Sequence, residues 1–341
     1  MTAAGEPIRL AVVGAGAISQ VMHVPILTEH PGAELCALAD VDAHKARTVA
    51  ARFGVLEVVD PDQVLAREDL DAVVLCTPNH LHEDQAVAAL QAGMHVFVER
   101  PLALTSAGAL RVVEAARAAG RALVVGLPHR FRPEAAALRS YVAEGRLGQL
   151  SSARGIWLNR RTPVRGPSWR LSRLQAGGGA LVDLGLPTLD LCLWLVGYPR
   201  IRRVTCTTSE GDQGVEDGAI VMAESHEGLA VTLEVSSRYH SGHDHYYARV
   251  MGTEGSGSLP PLEIYRQLGG RPMEVTPRQP RPRGDENPYT NAYRRQLDHF
   301  VRVASGQSPA ELPEEQVGLM RFVEAAYESA ASRREVVLSE E

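Results

Sequence analysis

Ile8-Arg9-Leu10-Ala11-Val12-Val13 runs straight into Gly14-Ala15-Gly16-Ala17-Ile18-Ser19, and the reading of this junction decides the fold. The first six residues, apolar but for Arg9, have the composition of a buried strand. Two glycines one residue apart make a tight turn, and apolar positions at helical spacing resume near Ser19. A strand that enters a helix through such a turn leaves free N–H groups at the helix opening, which suit anionic oxygens. Gly14 permits the turn, Gly16 lets the backbone approach a pyrophosphate, and Ala17, Ile18 and Ser19 open the helix. Ser19 stands where Gly or Ala is usual, a small departure.

Working outward, Asp40 ends the next apolar run about 25 residues on. An acidic side chain there accepts hydrogen bonds from both ribose hydroxyls of NAD and repels a 2′-phosphate. The next residues, Val41 and Asp42, offer no arginine to offset that repulsion, so NAD is expected over NADP. Asp42, not Asp40, reads as the cap of a helix over Ala43–Phe53. Further strands are expected at Leu35–Ala39, Ala72–Cys76, His95–Val98 and Ala122–Val125. Helices are expected at Ser19–Glu29, His82–Ala92 and Ala107–Ala119. Wholly apolar strands separated by helices imply a doubly wound parallel sheet, an α/β domain over residues 1–125.

Past Gly126 the texture changes. Helices over Pro133–Glu144 and Leu181–Leu195 flank an Arg-, Gly- and Pro-rich loop. Strand-like segments follow at Ile201–Thr208, Asp217–Ser225, Leu229–Ser236, Tyr246–Gly252 and Leu262–Leu268, joining the earlier Leu150–Trp157. Residues 269–288 read as loop, and helices Tyr289–Ala304 and Pro313–Ser332 close the chain. This predicts a C-terminal α+β domain over 126–341 with an open, mainly antiparallel sheet.

The 341 residues suit two domains, and 45% hydrophobic with 22% charged residues is ordinary for a chain that buries a sizeable core. A net charge of −6 argues against nucleic acid or an anionic membrane as partner. No apolar run reaches the roughly 18 residues of a membrane span, and the stretch Met1–Pro7 lacks a leader pattern, so a cytoplasmic location is expected. Cys36, Cys76, Cys192 and Cys206 are far apart with no CxxC pairing; three sit inside apolar runs and read as small buried hydrophobes, and no redox or metal role is expected. Lys45 is the single lysine among 35 basic residues, so an arginine at any one position is weak evidence of a need for guanidinium.

Several spaced motifs give a family resemblance that runs nearly end to end. Cys76-Thr77-Pro78-Asn79-His80-Leu81-His82, Ala92-Gly93-Met94-His95-Val96, Glu99-Arg100-Pro101-Leu102 and Gly177-Gly178-Gly179-Ala180-Leu181-Val182-Asp183-Leu184-Gly185, with Ser168-Trp169-Arg170, resemble the Gfo/Idh/MocA oxidoreductases. The resemblance implies an N-terminal Rossmann domain holding NAD(P) and a C-terminal domain whose first part closes the active site. Its open sheet would make subunit contacts, in a dimer or tetramer. Position by position, it implies that Gly14, Gly16, Ala17, Ile18 and Ser19 hold the pyrophosphate and Asp40 the adenosine ribose. Thr77, Pro78, Asn79 and His82 would line the nicotinamide half, with Glu99 near its ribose and Trp169 and Arg170 approaching from the second domain. His129 falls at a substrate-facing position, and Asp183 and Asp190, seven apart, would face one pocket.

Two positions depart from the family pattern. Glu99-Arg100-Pro101 stands where Glu-Lys-Pro is usual, and Pro187 stands where a histidine follows the aspartate by one turn. Lysine serves acid–base chemistry because its pKa can be lowered; arginine stays protonated and proline carries no titratable group. Three readings follow. The first is a working oxidoreductase on a sugar, polyol or sugar acid, with Arg100 polarising the carbonyl and His129, or behind it Asp183 or Tyr239, supplying the proton. The second is a non-catalytic NAD(H)-binding sensor or accessory protein. The third is redox-neutral chemistry in which the bound nucleotide is regenerated.

Arg160, Arg161, Arg165, Arg170 and Arg173 crowd one loop and suit an anionic sugar or, equally, a solvated surface. His240, His243, His245 and Asp244 are read as a polar loop, with no metal expected.

Overall fold

The computed structural model describes residues 6–160, 168–211, 214–278 and 287–339. Internal contacts divide the chain into two units, residues 1–128 with 284–316, and residues 129–283 with 317–341.

In the first unit β1 (Ile8–Val13), β2 (Ala33–Ala39), β3 (Glu57–Val59), β4 (Ala72–Leu75), β5 (His95–Glu99) and β6 (Leu123–Gly126) form one parallel sheet. The order is β3-β2-β1-β4-β5-β6. The order reverses at β1, so the carboxyl ends of β1 and β4 flank the crevice where such sheets take ligands. Leu10, Val12, Leu38, Val74 and Phe97 are fully buried, as strands covered on both faces require.

The helix Pro288–Ala304 belongs to this unit and not to the second. Its stripe of Tyr293, Leu297, Phe300 and Val301 completes the core around Phe97, and Gln296 donates to the Val125 carbonyl at 2.6 Å. A contiguous boundary at residue 126 therefore assigns this helix to the wrong unit. Sequence order alone does not show which core an amphipathic helix will join.

In the second unit β7 (Leu150–Arg160), β8 (Ile201–Ser209), β9 (Gly218–Ser225), β10 (Ala230–Tyr239), β11 (His245–Gly252), β12 (Gly255–Leu259), β13 (Glu263–Leu268), β14 (Arg271–Glu274) and β15 (Val336–Val337) form a second sheet. Its order is β14-β13-β12-β11-β7-β10-β9-β8-β15. Only the β7–β10 pairing among the described residues is parallel. The helices Pro133–Ala143 and Leu186–Leu195 pack on one face through Leu138, Leu191, Cys192 and Leu195. On the other face Ile220 and Met222 remain 57% and 60% exposed. The stretch Arg173–Leu195 is long and apolar enough to cross a membrane by composition, but 83% of that window is buried inside the structure. It is a core helix.

Two wide turns interrupt the helices. Ser19–His23 and Leu181–Gly185 wind with π spacing, closing on bonds from Val24 N–H to the Ser19 carbonyl and from Leu186 N–H to the Leu181 carbonyl. Each is followed, after one intervening residue, by a proline, Pro25 and Pro187. A proline lacks the N–H and crowds the carbonyl four residues back; the wide turn relieves both problems. The disturbance expected at Pro187 is therefore a local widening, and the helix runs on to Leu195.

Candidate active site

The glycine turn is packed against the end of β4. Gly14 has φ +99°, and a Cβ there would lie 2.6 Å from the Cys76 carbonyl oxygen. Nothing else than glycine fits. Gly14 N–H bonds the Ala39 carbonyl at 2.7 Å, tying the turn to β2 as well. A Cβ on Gly16 would meet nothing within 4 Å, so this backbone is open to a ligand. The fully buried Ser19 hydroxyl donates to the Gly14 carbonyl, which is why a small hydroxylated residue suits the third position. The opening amides after Gly16 lack carbonyls one turn earlier and suit an anion.

Asp40 is fixed from two sides. One oxygen accepts from Ala15 N–H at 2.7 Å; the other accepts from Asp42 N–H at 2.8 Å and pairs with Lys45 Nζ at 2.9 Å. Three donors leave acceptor capacity for a ribose hydroxyl, since a carboxylate offers about four sites. Val41 and Asp42 indeed bring no arginine, but Lys45 reaches Asp40 from the next helix. The spacing hid this: Asp42 caps that helix through the N–H groups of His44 and Lys45, and the cap turns the Lys45 side chain back.

Beyond β4 the placement of side chains differs more from expectation. Thr77 Oγ1 donates to Gln85 Oε1 at 2.6 Å. His82 is completely buried, with Nδ1 2.7 Å from the Pro101 carbonyl and Nε2 2.9 Å from the Thr77 carbonyl. It ties together the two loops that present Thr77 and Arg100 and offers no surface to a nicotinamide. Two carbonyls favour a doubly protonated ring, but burial prevails and lowers its pKa.

Glu99, 9% exposed, ends β5 beneath Gly126, whose missing side chain leaves it room. One of its oxygens lies 2.7 Å from Nε2 of the fully buried His23, and the other accepts weakly from Arg100 N–H at 3.3 Å. Burial opposes charge on both members of the pair. For Glu99 the hydrogen bond and charge of His23, with the charge of Arg100, overcome it and hold the carboxyl below its usual range. For His23 the neighbouring Cys76 thiol and Glu99 push the pKa up to about 10. The pair therefore behaves as a buried imidazolium–carboxylate ion pair at neutral pH.

In the second unit His129, 7% exposed, stacks on Tyr246 at 5.0 Å and meets Trp157 edge-on at 5.5 Å. Asp190 is 1% exposed and receives the guanidinium of Arg130, from Nε at 2.8 Å and from Nη2, and the hydroxyl of Tyr198. Asp183 is exposed. Of the two aspartates seven residues apart, Asp190 is thus buried against Arg130 and Tyr198 while Asp183, within the wide turn Leu181–Gly185, is exposed. Arg170 covers the Trp169 ring at 4.3 Å. Tyr239 pairs with Arg160 at the ends of β10 and β7, and Arg160 N–H donates to Asp244 at 2.7 Å. Arg161 and Arg165 lie outside the described residues. Among the described residues no cluster of His, Cys, Asp or Glu could hold a metal ion.

The glycine triplet shapes the start of the helix at Leu181. A Cβ at Gly178 would lie 1.8 Å from the Tyr327 hydroxyl, and one at Gly179 1.9 Å from the Glu216 carbonyl. Glu216 Oε1 then accepts from Gly179 N–H at 2.8 Å, Leu181 N–H at 3.0 Å and Tyr327 at 2.7 Å. A buried carboxylate thus caps the helix from another strand's approach.

Two family models match this chain, one described as an oxidoreductase family NAD-binding Rossmann fold over residues 8–127, the other as a GFO/IDH/MocA C-terminal domain over residues 135–258. The chain belongs to the Gfo/Idh/MocA oxidoreductase family. An inositol 2-dehydrogenase of Acidothermus cellulolyticus is 30% identical, over 89% of this chain and 86% of that protein. A D-glucoside 3-dehydrogenase of Escherichia coli is 28% identical over 98% of each. The structure of GenD2 from gentamicin A biosynthesis, in complex with NAD, superposes with TM-score 0.85 at 30% identity, covering 99% of this chain and 98% of that one.

Within this Gfo/Idh/MocA chain, reading by motif passed over His23, Lys45, Arg130, Tyr198, Glu216 and Tyr327. The glycines were the available signal for two of these contacts, since glycine in a conspicuous run implies something pressed against it, without saying what.

Proposed function

We propose that this protein is an NAD-dependent oxidoreductase that moves hydride between the nicotinamide and a sugar, polyol or sugar acid. The observation that carries the reading is the pairing of an open Gly16 backbone with an Asp40 carboxylate held by two amides at the crevice of the first sheet. The dinucleotide would supply the hydride acceptor or donor. The amides after Gly16 would bind its pyrophosphate and Asp40 its adenosine ribose. Asp40 cannot turn from a 2′-phosphate, while the half-exposed Lys45 is the looser partner, so NAD is favoured over NADP. Relatives described as inositol and glucoside dehydrogenases support the substrate class.

Arg100 keeps its proton at every working pH, so it serves as a fixed positive charge that polarises a carbonyl or steadies an alkoxide. Pro187 supplies no proton. His129 is the titratable ring on the substrate-binding unit that we assign as acid–base partner, its orientation set by Trp157 and Tyr246. Thr77, Pro78 and Asn79, with Trp169, Arg170, Arg160, Asp183 and Tyr239, are assigned to ligand contacts. Asp190 and His82 are assigned to positioning the groups around them.

Steady-state assays of purified protein with NAD and NADP against inositol, glucosides and uronates test this. Turnover is expected with NAD at least about tenfold better than with NADP, and His129→Ala should lower kcat by about 10² to 10⁴. Should NAD bind with no turnover on any of these, while Arg100→Lys with Pro187→His gains activity, the chain is instead a nucleotide-binding sensor or accessory protein.

The exposed face of the second sheet supports a homo-oligomer. Ile220 and Met222 sit beside Thr205, Thr207 and Thr232 on adjacent strands, with the charged pairs Arg154–Glu234 and Arg203–Glu224 around them. Light scattering is expected to give a dimer or tetramer at micromolar concentration. Met222→Arg with Ile220→Glu should convert it to monomer, and a monomeric wild type would remove the assignment.

A further inference from the structure

Four arginines and a histidine line an open hollow of about 1510 Å³ in the first unit, at the amino ends of its strands. Ile8 begins β1, Asp71 precedes β4, His95 begins β5 and Arg121 lies just before β6, so the hollow is at the other end of the strands from the Gly14 turn. Two of the arginines are matched within the protein. Arg9 and Arg67 both pair with Asp69, at 2.8 and 2.7 Å, and Arg67 also pairs with Glu57. Arg121 and Arg302 make no ion pair among the described residues, and the exposed lining carboxylates Glu6 and Glu68 reach neither. The Arg121 guanidinium lies against Gly93, where a Cβ would be 3.7 Å from Nη2, and its Nη1 is 3.5 Å from His95 Nε2. His95 Nδ1 accepts from Ala122 N–H at 3.0 Å, so in the neutral ring the hydrogen is on Nε2. Burial and the charge of Arg121 lower the pKa of His95 and keep the ring neutral at physiological pH. Two donors therefore stand 3.5 Å apart, and neither can accept from the other.

We propose that Arg121, His95 and Arg302 form an anion site at the amino ends of the first sheet, which takes a phosphate group, free or carried by a small metabolite. An oxygen of the anion accepts from Arg121 and from His95 Nε2, and so supplies the acceptor that these two donors lack. Two guanidinium charges without a counter-charge match the two negative charges of a phosphomonoester near neutral pH better than the single charge of a carboxylate. Arg302 brings the second of them from the last turn of the helix Pro288–Ala304. Its carbonyl accepts from the N–H groups of Gln307 and Ser308 at 2.8 and 3.1 Å, so the negative end of that helix is capped and not turned on the anion. The hollow has room for an organic body beside the phosphate. A long polyanion does not suit it, because Glu6 and Glu68 are exposed at its edge and the chain carries a net charge of −6. None of this rests on the proposed dinucleotide site, which opens at the carboxyl ends of the same strands.

Calorimetric titration of the full chain, without nucleotide, against inorganic phosphate and against glucose 6-phosphate tests the site. Binding with a dissociation constant of about 1 mM or below is expected. Tighter binding of glucose 6-phosphate assigns the site to a phosphorylated metabolite and equal binding assigns it to free phosphate; either result upholds it. Arg121→Gln and, separately, Arg302→Gln should each weaken binding about tenfold or more, as loss of a charged partner does. Both side chains are exposed, so the variants should melt like wild type. A second readout is the ring proton signal of His95, identified by its absence in His95→Gln. Phosphate should move its titration midpoint upward, because a nearby negative charge favours the imidazolium. If neither ligand binds, or if binding is unchanged in both arginine variants and the His95 signal does not respond, the site is overturned. Binding that survives both arginine variants but is lost in Gly16→Ala places the anion at the dinucleotide turn, which sustains the nucleotide reading while this one fails.

Discussion

Gly14→Ala is expected to weaken NAD binding about a hundredfold and to lower the stability of the first unit by about 2 to 4 kcal/mol. Two independent costs combine. The backbone at φ +99° lies where an L side chain is strained, and the new methyl would press on the Cys76 carbonyl at 2.6 Å. Neither side can yield cheaply, because β1 and β4 are hydrogen-bonded neighbours near the centre of the sheet. Relief has to come from moving the turn, and with it the amides that would receive the pyrophosphate. Losing two hydrogen bonds to a charged group, at about 1.5 kcal/mol each, weakens binding by about two orders of magnitude.

Gly16→Ala separates the two costs. Its methyl would meet no protein atom within 4 Å, so the fold should tolerate it while the ligand should not. Thermal melting with and without NAD reads both effects, since a ligand that binds the native state raises its apparent stability. The expected result is a lower melting temperature for Gly14→Ala alone and a lost NAD-induced shift for both. A Gly14→Ala protein that melts like wild type and still shifts with NAD would refute the assignment of this turn.

What could be read from sequence here depended on how far apart the cooperating residues lie. The strand Ile8–Val13, the turn at Gly14 and the helix Ala43–Phe53 with its Asp42 cap are set within a few residues, and the structure places them where the sequence does. The strand Glu57–Val59 escaped because three residues carry no period, and Gly255–Leu259 because its glycines read as a turn. The wide turns escaped for a subtler reason. Helical spacing of apolar residues looks the same with one residue added. Only the matching offset of Pro25 and Pro187 marked them. Pairs such as His23 with Glu99 lie on different elements, and no local pattern announces them.

Asp190→Ala is expected to destabilise the second unit by about 3 to 5 kcal/mol, as removal of one partner from a buried ion pair does. Seen from sequence, Asp190 is a substrate ligand, and loss of a ligand raises KM with little change in stability. The structure gives it another task. At 1% exposure it accepts both arms of the Arg130 guanidinium and the Tyr198 hydroxyl, while Arg130 also lies over the Tyr198 ring at 5.4 Å. Without the carboxylate, a guanidinium that is largely removed from water keeps its charge and loses its main counter-charge, and arginine cannot escape by deprotonation. Urea unfolding followed by tryptophan fluorescence reads this directly, because Trp157, Trp169 and Trp194 all lie in the second unit. The double replacement Arg130→Met with Asp190→Leu removes both charges together and should restore most of the loss, since exchanging a buried pair for apolar side chains is often close to neutral. Recovery in the double variant distinguishes a stranded charge from a cavity, which both single and double variants would share. A cost below about 1 kcal/mol for Asp190→Ala, with a raised KM, would return Asp190 to the substrate.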